Sequence, residues 1–206
     1  MKIVSTNSIH KIDTINLKHT NSLNFQKSHD VVSFTGLMVR PVKNKTEIKE
    51  LVNLFYDALK HNIEPNAKSH KFIEKADRFL ATFPFITAAK QSGSITEVIK
   101  SENKLAGGYL MNINNVNSTA HIGFVTIAPE YMKTRTGIAL LKLIGKRISQ
   151  NLQLNNIKEL TWTTNSKNKQ INSMLKRFNA EKIRKIGSET EYKISVDKFK
   201  SKLENL

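Results

Sequence analysis

Cysteine is missing from all 206 residues. Its absence excludes a disulfide framework, a thiolate metal site and a cysteine nucleophile, and it fits a reducing compartment. Long apolar runs are missing too. No stretch reaches the ~20 apolar residues that a bilayer-spanning helix needs. The opening MKIVSTNSIHKIDTINLKHTNSLNF is broken throughout by Asn, Lys, Ser and Thr, so it lacks the continuous apolar segment of a secretory signal. The expected location is the cytoplasm. Internal repeats and coiled-coil heptads are absent. His10, His19, His29, His61 and His70 are scattered without ligand spacing, so no metal is expected.

Acidic residues are also scarce, 17 against 33 Lys and Arg, which leaves a formal net charge of +16. A chain this basic is able to hold nucleic acid or another anionic surface. Only six of the 33 basic residues are Arg, however, and the other 27 are Lys, in a chain crowded with Asn. Base-reading contacts lean on the bidentate fork of Arg. The Lys and Asn richness therefore reads first as the codon drift of an AT-rich genome. A weak association of the Lys-rich surface with nucleic acid or an acidic partner stays open. The stretch from Lys167 to Lys185 (Lys167, Lys169, Lys176, Arg177, Lys182, Arg184, Lys185) is its densest part and reads as a solvated face.

What is present, 39% apolar residues, is enough for one domain with a core. Residues 1–36 show no sustained period and read as a loosely structured or disordered leader, with Val31 to Phe34 able to pack on the domain. Residues 37–196 carry the domain, and 197–206 read as a charged tail. Leu37 to Val42 is a first strand, with Pro41 suited to an edge. Thr46 is a cap candidate for a helix carrying Ile48, Leu51, Val52, Phe55 and Leu59. A second helix is expected from about Pro65, with Phe72, Ile73, Ala76, Phe79 and Leu80 as its stripe and Pro84 closing it. Phe85 to Ala89 is ambiguous.

Ile95 to Lys100 and Leu105 to Ile113 read as a strand pair across the turn Ser101-Glu102-Asn103. Thr119 to Ile127 (TAHIGFVTI) is a long strand. Simple alternation puts Ala120, Ile122 and Phe124 on one face, and His121, Gly123, Val125 and Ile127 on the other. The amphipathic helix GIALLKLIGKRISQ follows, with Gly137, Leu141, Ile144 and Ile148 in line. Then come a strand (Ile157 to Thr164), a helix capped by Asn165 or Ser166, and a hairpin around Gly187-Ser188. The order is α+β, or mixed α/β. Trp162 on its strand reads as core.

The unit from Ala120 to Ile148 carries the chemistry. A strand feeds the basic, hydroxyl-rich loop YMKTRTG, which opens a helix. The first helical N–H groups have no intrahelical acceptor, and the dipole there favours an anion. Lys133 and Arg135 add charge, Thr134 and Thr136 add hydroxyls, and Gly137 permits close approach. Neither GxxxxGK[ST] nor GxGxxG is present.

The run HIGFVTIAPEYMKTRTGIALLKLIGKRI resembles the acetyl-CoA segment of the GNAT superfamily of N-acetyltransferases. In that family a V-x-P-E/D-Y strand end precedes R/Q-x-x-G-x-G/A and a Leu-rich helix. Ile127-Ala128-Pro129-Glu130-Tyr131 matches the first part. Without a gap, Met132 stands at the Arg or Gln, Arg135 at the first glycine, and Gly137 at the second. The later run LTWTTNSKNKQINSMLKRFNAEKIRK is similar to the N-x-x-A-x-x-x-Y-x-x-x-G-F segment. Asn168 falls on the Asn, Ile171 on the Ala, Leu175 on the Tyr, Asn179 on the Gly and Ala180 on the Phe. The likeness extends over about residues 37–196.

The resemblance implies a GNAT-like fold, with a central, mostly antiparallel sheet and helices on both faces. It implies acetyl-CoA as acyl donor and a primary amine, of unknown identity, as acceptor by direct attack. Val125, Thr126 and Ile127 would hold the pantetheine arm, with an N–H near Val125 polarising the thioester carbonyl. Lys133, Thr134, Arg135, Thr136, Gly137 and Ile138 would hold the pyrophosphate, and Asn168 would join the cofactor site. His121 stands where some members carry a catalytic Glu and is the candidate general base. Tyr131 and Tyr192 are the tyrosines open as acids, because Leu175 cannot protonate a thiolate. A second function stays open: a catalytically weak GNAT-shaped module that binds acyl-CoA or a nucleic-acid partner. Leu175 and the missing loop glycine favour it, whereas His121 and the strand–Pro–loop–helix favour the enzyme.

Overall fold

The computed structural model describes residues 32–34, 36–63 and 82–205. Eight strands form one sheet: β1 (Val32–Phe34), β2 (Leu37–Pro41), β3 (Ser94–Ser101), β4 (Lys104–Asn114), β5 (Thr119–Ile127), β6 (Glu159–Asn165), β7 (Glu181–Ile186) and β8 (Glu189–Ser195). Their spatial order is β1-β2-β3-β4-β5-β6-β8-β7. Only β5 and β6 pair in parallel; the other neighbours are antiparallel. The helices are α1 (Lys45–Ile63), α2 (82–89), α3 (Arg135–Leu154), α4 (Lys169–Arg177) and α5 (Val196–Glu204). The expected α+β class with a mostly antiparallel sheet is what forms. The helix expected from Pro65, with its stripe Phe72 to Leu80, lies outside the described residues.

Turn chemistry explains the hairpins. Glu102 and Asn103 both adopt positive φ, 49° and 69°, the mirror-image turn whose twist suits a two-residue connection. Pro41 ends β2 beyond the part paired with β1, so its missing N–H costs no bond on that edge.

Two apolar layers sandwich the sheet. On one face Leu140, Ile144 and Ile148 of α3 meet Ile99, Tyr109, Met111 and Trp162, and Leu175, Phe178 and Phe199 extend the layer under α4 and α5. On the other, Ile48, Leu51 and Val52 of α1 meet Val98, Leu110 and Phe124. Phe124 stacks on Phe55 at 5.0 Å and meets Phe85 of α2 edge-on at 5.2 Å. Burying one such side chain contributes about 1.5–3 kcal/mol.

Strand β5 departs from simple alternation. Leu110 pairs with Phe124, but the next residue, Met111, pairs with Ile122. Gly123 is therefore the extra residue of a β-bulge, which reverses the facing of everything after it. Ala120 and Ile122 face α3, Phe124 faces α1, and Val125 and Ile127 return to the α3 side. The expected grouping of Phe124 with Ala120 and Ile122 fails for this reason.

Other elements also differ from the sequence reading. The first helix is capped by Asn44 rather than Thr46: the Glu47 N–H donates to Asn44 Oδ1 at 3.0 Å. Asn168, not Asn165 or Ser166, caps α4. Pro84 does not close a helix but lies within helical residues 82–89, which include the ambiguous Phe85 to Ala89. Leu141 is 43% exposed while Leu140 is fully buried, because α5 covers α3 at Gly145 through Leu203, one turn short of Leu141. Residues read as a charged tail form α5, whose Val196 and Phe199 are buried. Their i, i+3 spacing is masked by the lysines between and after them. Within the expected leader, Val32–Phe34 adds a strand to β2.

Candidate functional site

Strands β5 and β6 run in register only from Thr119↔Glu159 to Ile122↔Trp162. The bulge at Gly123 follows, and beyond it the two strands share no pair. From Gly123 to Ile127, the β5 edge that would meet β6 has no strand partner, while the opposite edge stays paired with β4 from Phe124 on. Backbone N–H and C=O groups on that edge are open to a ligand. Val125 is half-buried there, and Thr126 and Ile127 are buried.

At its end β5 enters a tight loop. Pro129–Tyr131 forms a 3₁₀ turn, and Lys133 takes a left-handed φ of 61°. The Thr134 N–H and hydroxyl both donate to the Tyr131 carbonyl, at 3.2 and 2.7 Å. Thr134 Oγ1 in turn accepts the Gly137 N–H at 3.0 Å and caps α3. A Cβ at Gly137 would collide with the Tyr131 carbonyl oxygen, so any side chain there forces the loop or the helix to shift. The helix therefore opens with the N–H groups of Arg135 and Thr136 free of intrahelical acceptors. Lys133, Thr134, Arg135 and Thr136 are exposed around them, and Ile138 is 57% exposed. Fixed donors, a helix dipole and two cations suit a phosphate group.

His121 sits before the bulge, on the face covered by α1 and α2. Six residues of strand separate it from Ile127, roughly 20 Å. Its Nδ1 lies 3.0 Å from Thr161 Oγ1 of β6. Burial pushes the imidazole below its ordinary value, and the nearby Glu191 carboxylate pulls the other way. The side chain therefore stays neutral at pH 7 and is able to accept a proton. Asn112 pairs directly across from His121, and Ser94 across from Asn112. Ser94 Oγ, Thr96 Oγ1, Asn112 Oδ1 and Thr126 Oγ1 are all buried without a hydrogen-bond partner among the described residues. Strand register puts these four oxygens on the same face as His121. Orphaned acceptors of this kind are unusual in a fold and collect where a polar ligand binds. Sequence reading missed Asn112 and Thr161, which strand register places beside His121, and Ser94, one strand further along the same row.

The remaining expected residues occupy other places. Asn168 Oδ1 accepts the Ile171 N–H at 3.3 Å, so its oxygen is engaged in capping α4. Leu175 is fully buried in the α3-side core. The Tyr192 hydroxyl donates to Asn172 Oδ1 at 3.2 Å, and Tyr131 is half-buried beside the loop. Asn179 adopts a φ of 52° after α4, the left-handed helix end that Gly or Asn fills. This explains why Asn replaces the Gly of the resembled pattern. Among the described residues, no three His, Cys, Asp or Glu side chains are grouped to hold a metal, and no helix is long and apolar enough to cross a membrane.

A second polar network ties α3 to the sheet. Arg147 grips Glu97 through both carboxylate oxygens, with Nε to Oε2 at 3.0 Å. The Tyr109 hydroxyl donates to Glu97 Oε2 at 2.8 Å and accepts from Asn151 at 2.7 Å. Glu97 and Tyr109 are fully buried, and desolvation beside Glu97 pushes the Tyr109 phenol well above its usual range. The network anchors α3, whose N-terminus follows the basic loop.

No protein-family sequence model matches the chain, and no curated protein matches it by sequence. Solved structures do match. The PaiA N-acetyltransferase of Thermoplasma acidophilum, in complex with coenzyme A, is 16% identical with a TM-score of 0.58, over 77% of this chain and 98% of that one. A GNAT-family protein from Desulfovibrio desulfuricans is 12% identical with a TM-score of 0.54, over 78% and 99%. The spermidine N-acetyltransferase of Vibrio cholerae, in complex with CoA and spermine, is 12% identical with a TM-score of 0.53, over 81% and 99%. At these identities the likeness speaks for architecture, and the architecture of this chain is that of the GNAT superfamily of N-acetyltransferases.

Proposed function

We propose that the chain is an N-acyltransferase that moves the acetyl group of acetyl-CoA to a primary amine by direct attack, in the cytoplasm. The observation that carries this reading is the parting of β5 from β6 immediately after His121. It leaves an open strand edge that leads to a helix N-terminus where the Arg135 and Thr136 N–H groups have no intrahelical acceptor. In this reading the free N–H groups of Arg135 and Thr136, with Lys133 and Arg135, hold the pyrophosphate. The open edge from Val125 to Ile127 holds the pantetheine arm. The acceptor sits on the α1 face, where Asn112 and Ser94 offer unpaired oxygens to an amine.

The neutral amine adds to the thioester carbonyl, and the resulting oxyanion is held by a backbone N–H near Val125. His121 takes the proton that the nitrogen loses as the C–N bond forms. The C–N bond is kept, the C–S bond breaks, and CoA leaves as a thiolate. A thiol titrates near ~8.5, so its thiolate is a tolerable leaving group near neutral pH. Departure therefore does not depend on a tyrosine at Leu175, and Tyr131 is the tyrosine beside the loop with a hydroxyl to spare. The transfer requires no metal. PaiA with coenzyme A and the spermidine enzyme with CoA and spermine support the donor and the acceptor class.

The experiment is calorimetric titration of the full chain with acetyl-CoA, with CoA and ATP as controls. Saturable one-to-one binding of acetyl-CoA is expected, with ATP much weaker. Arg135→Glu should weaken acetyl-CoA about tenfold, the equivalent of ~1.4 kcal/mol. A folded chain that ignores millimolar acetyl-CoA sinks the reading. The burial of Leu175 at the resembled Tyr position favours a second one, a GNAT-shaped module with little turnover. That module would bind acetyl-CoA and fail to acetylate any amine in a screen. If it instead holds nucleic acid through lysines, affinity must fall steeply with log salt.

A further inference from the structure

We propose that Thr161 is a positioning residue that fixes the tautomer of His121, holding the proton on Nδ1 and leaving Nε2 bare as the accepting atom. The inference rests on the reading of His121 as the base, and it concerns how that base is prepared.

Thr161 Oγ1 has one proton and two neighbours able to take it. One is His121 Nδ1 at 3.0 Å; the other is the Ala120 carbonyl, to which the hydroxyl donates at 3.3 Å. The two arrangements have opposite chemical consequences. If the hydroxyl gives its proton to the carbonyl, its lone pair accepts Nδ1–H, and both ring contacts are satisfied in a chain, Nδ1–H to Oγ1 to Ala120 O. If the proton goes to Nδ1 instead, the carbonyl loses a donor. The ring then carries its hydrogen on Nε2, where it finds no protein acceptor among the described residues. The first arrangement satisfies both the ring N–H and the carbonyl, whereas the second leaves each without its partner, so the first wins. A ring nitrogen's state follows from the bond its partner nitrogen makes.

The register makes this coupling rigid. His121 and Thr161 are direct partners in the parallel ladder, one residue before pairing ends at Ile122↔Trp162. Thr161 is thus the side chain that joins the two strands beside His121, just before they part. Charged groups on the same face are already engaged. Glu191 of β8 pairs with Arg184, and Lys193 of β8 lies between Glu159 and Glu181. From β4 the neighbour is the neutral Asn112. No carboxylate accepts from Nδ1, so the hydroxyl is the group left to orient the ring.

The test is ¹H–¹⁵N correlation of the imidazole of the full chain, at a pH where His121 is neutral. Its signals are assigned by their loss in His121→Ala. The wild type should show Nδ1 protonated and Nε2 bare. Thr161→Val, which keeps the shape and removes the hydroxyl, should move the ring toward Nε2–H, and Thr161→Ser should preserve the wild-type pattern. With a turned-over amine, Thr161→Val should lower kcat by about tenfold or more at unchanged KM for acetyl-CoA, and Thr161→Ser should restore most of it. An Nε2–H ring in the wild type overturns the proposal, and so does a tautomer that ignores Thr161→Val. A tautomer shift with undiminished kcat overturns it as well. Should Thr161→Val not fold, the wild-type and Thr161→Ser spectra still decide. Full activity in His121→Ala would instead remove the base assignment, leaving the tautomer result to stand or fall by itself.

Discussion

His121, the base of the proposed reaction, is a largely buried imidazole. Desolvation disfavours the imidazolium, so the base remains neutral further into acid than a free histidine. Turnover should fall with acidification through a pKa below the ordinary 6.5, because protonation removes the accepting lone pair. His121→Ala should lower kcat by roughly 10²–10⁴-fold and erase that acid limb, with acetyl-CoA affinity unchanged. A variant whose pH–rate profile overlays the parent's would show that another group takes the proton.

At the scale of the element, the junction of β5 and α3 sets the proposed anion site. Its geometry is held by the Tyr131 carbonyl, which accepts two bonds from Thr134 and faces Gly137 without room for a side chain. Gly137→Ala should force the carbonyl or the helix to move. The expected loss of stability is about 1–3 kcal/mol, read by denaturant unfolding, with weaker acetyl-CoA binding by calorimetry. An alanine variant equal to the parent in both would mean that the loop adapts freely. The other end of the same support is the Arg147–Glu97 pair, which clamps α3 to β3 where burial makes a lone carboxylate costly.

For the whole molecule, stability in acid depends on charge pairs that join layers. Arg40 of β2 grips Glu47 of α1, with Nη1 to Oε2 at 2.8 Å. The Lys43 N–H adds a third donor to the same carboxylate at 2.8 Å. Together they hold the Glu47 carboxyl down at about 2, against an ordinary 4.5. A depressed carboxylate stabilises the fold above its unfolded value, and that contribution is lost as pH falls through the folded one. The window is therefore pH 4.5 down to about 2, and the contribution is on the order of 1–3 kcal/mol after allowance for partial exposure. Arg40→Met should flatten the stability–pH curve within that window, measured by thermal melts. An unchanged slope would assign acid unfolding to other groups. The lowered His121 value acts in the same direction at higher pH: stability declines as the unfolded chain takes up a proton that the folded one refuses.

Local pattern is enough for the order of elements, the basic loop opening α3, and the place of His121 on the strand that feeds it. Those features are local: a period of two or 3.6, a proline after a strand, a glycine where a helix begins. Caps were less legible because Asn, Ser and Thr crowd every helix start, and Asn44 and Asn168 prevail only once the chain's path is fixed. Tertiary structure alone decided the rest. The bulge at Gly123 is a mismatch between β4 and β5, not a property of either strand, yet it turns Phe124 toward α1 and ends the pairing with β6. Asn112 and Thr161 come beside His121, and Ser94 one strand beyond, through strand register across sequence separations that no local pattern encodes. The unpaired β5 edge, the orphaned oxygens and the contact of His121 with Thr161 all follow from that non-local pairing.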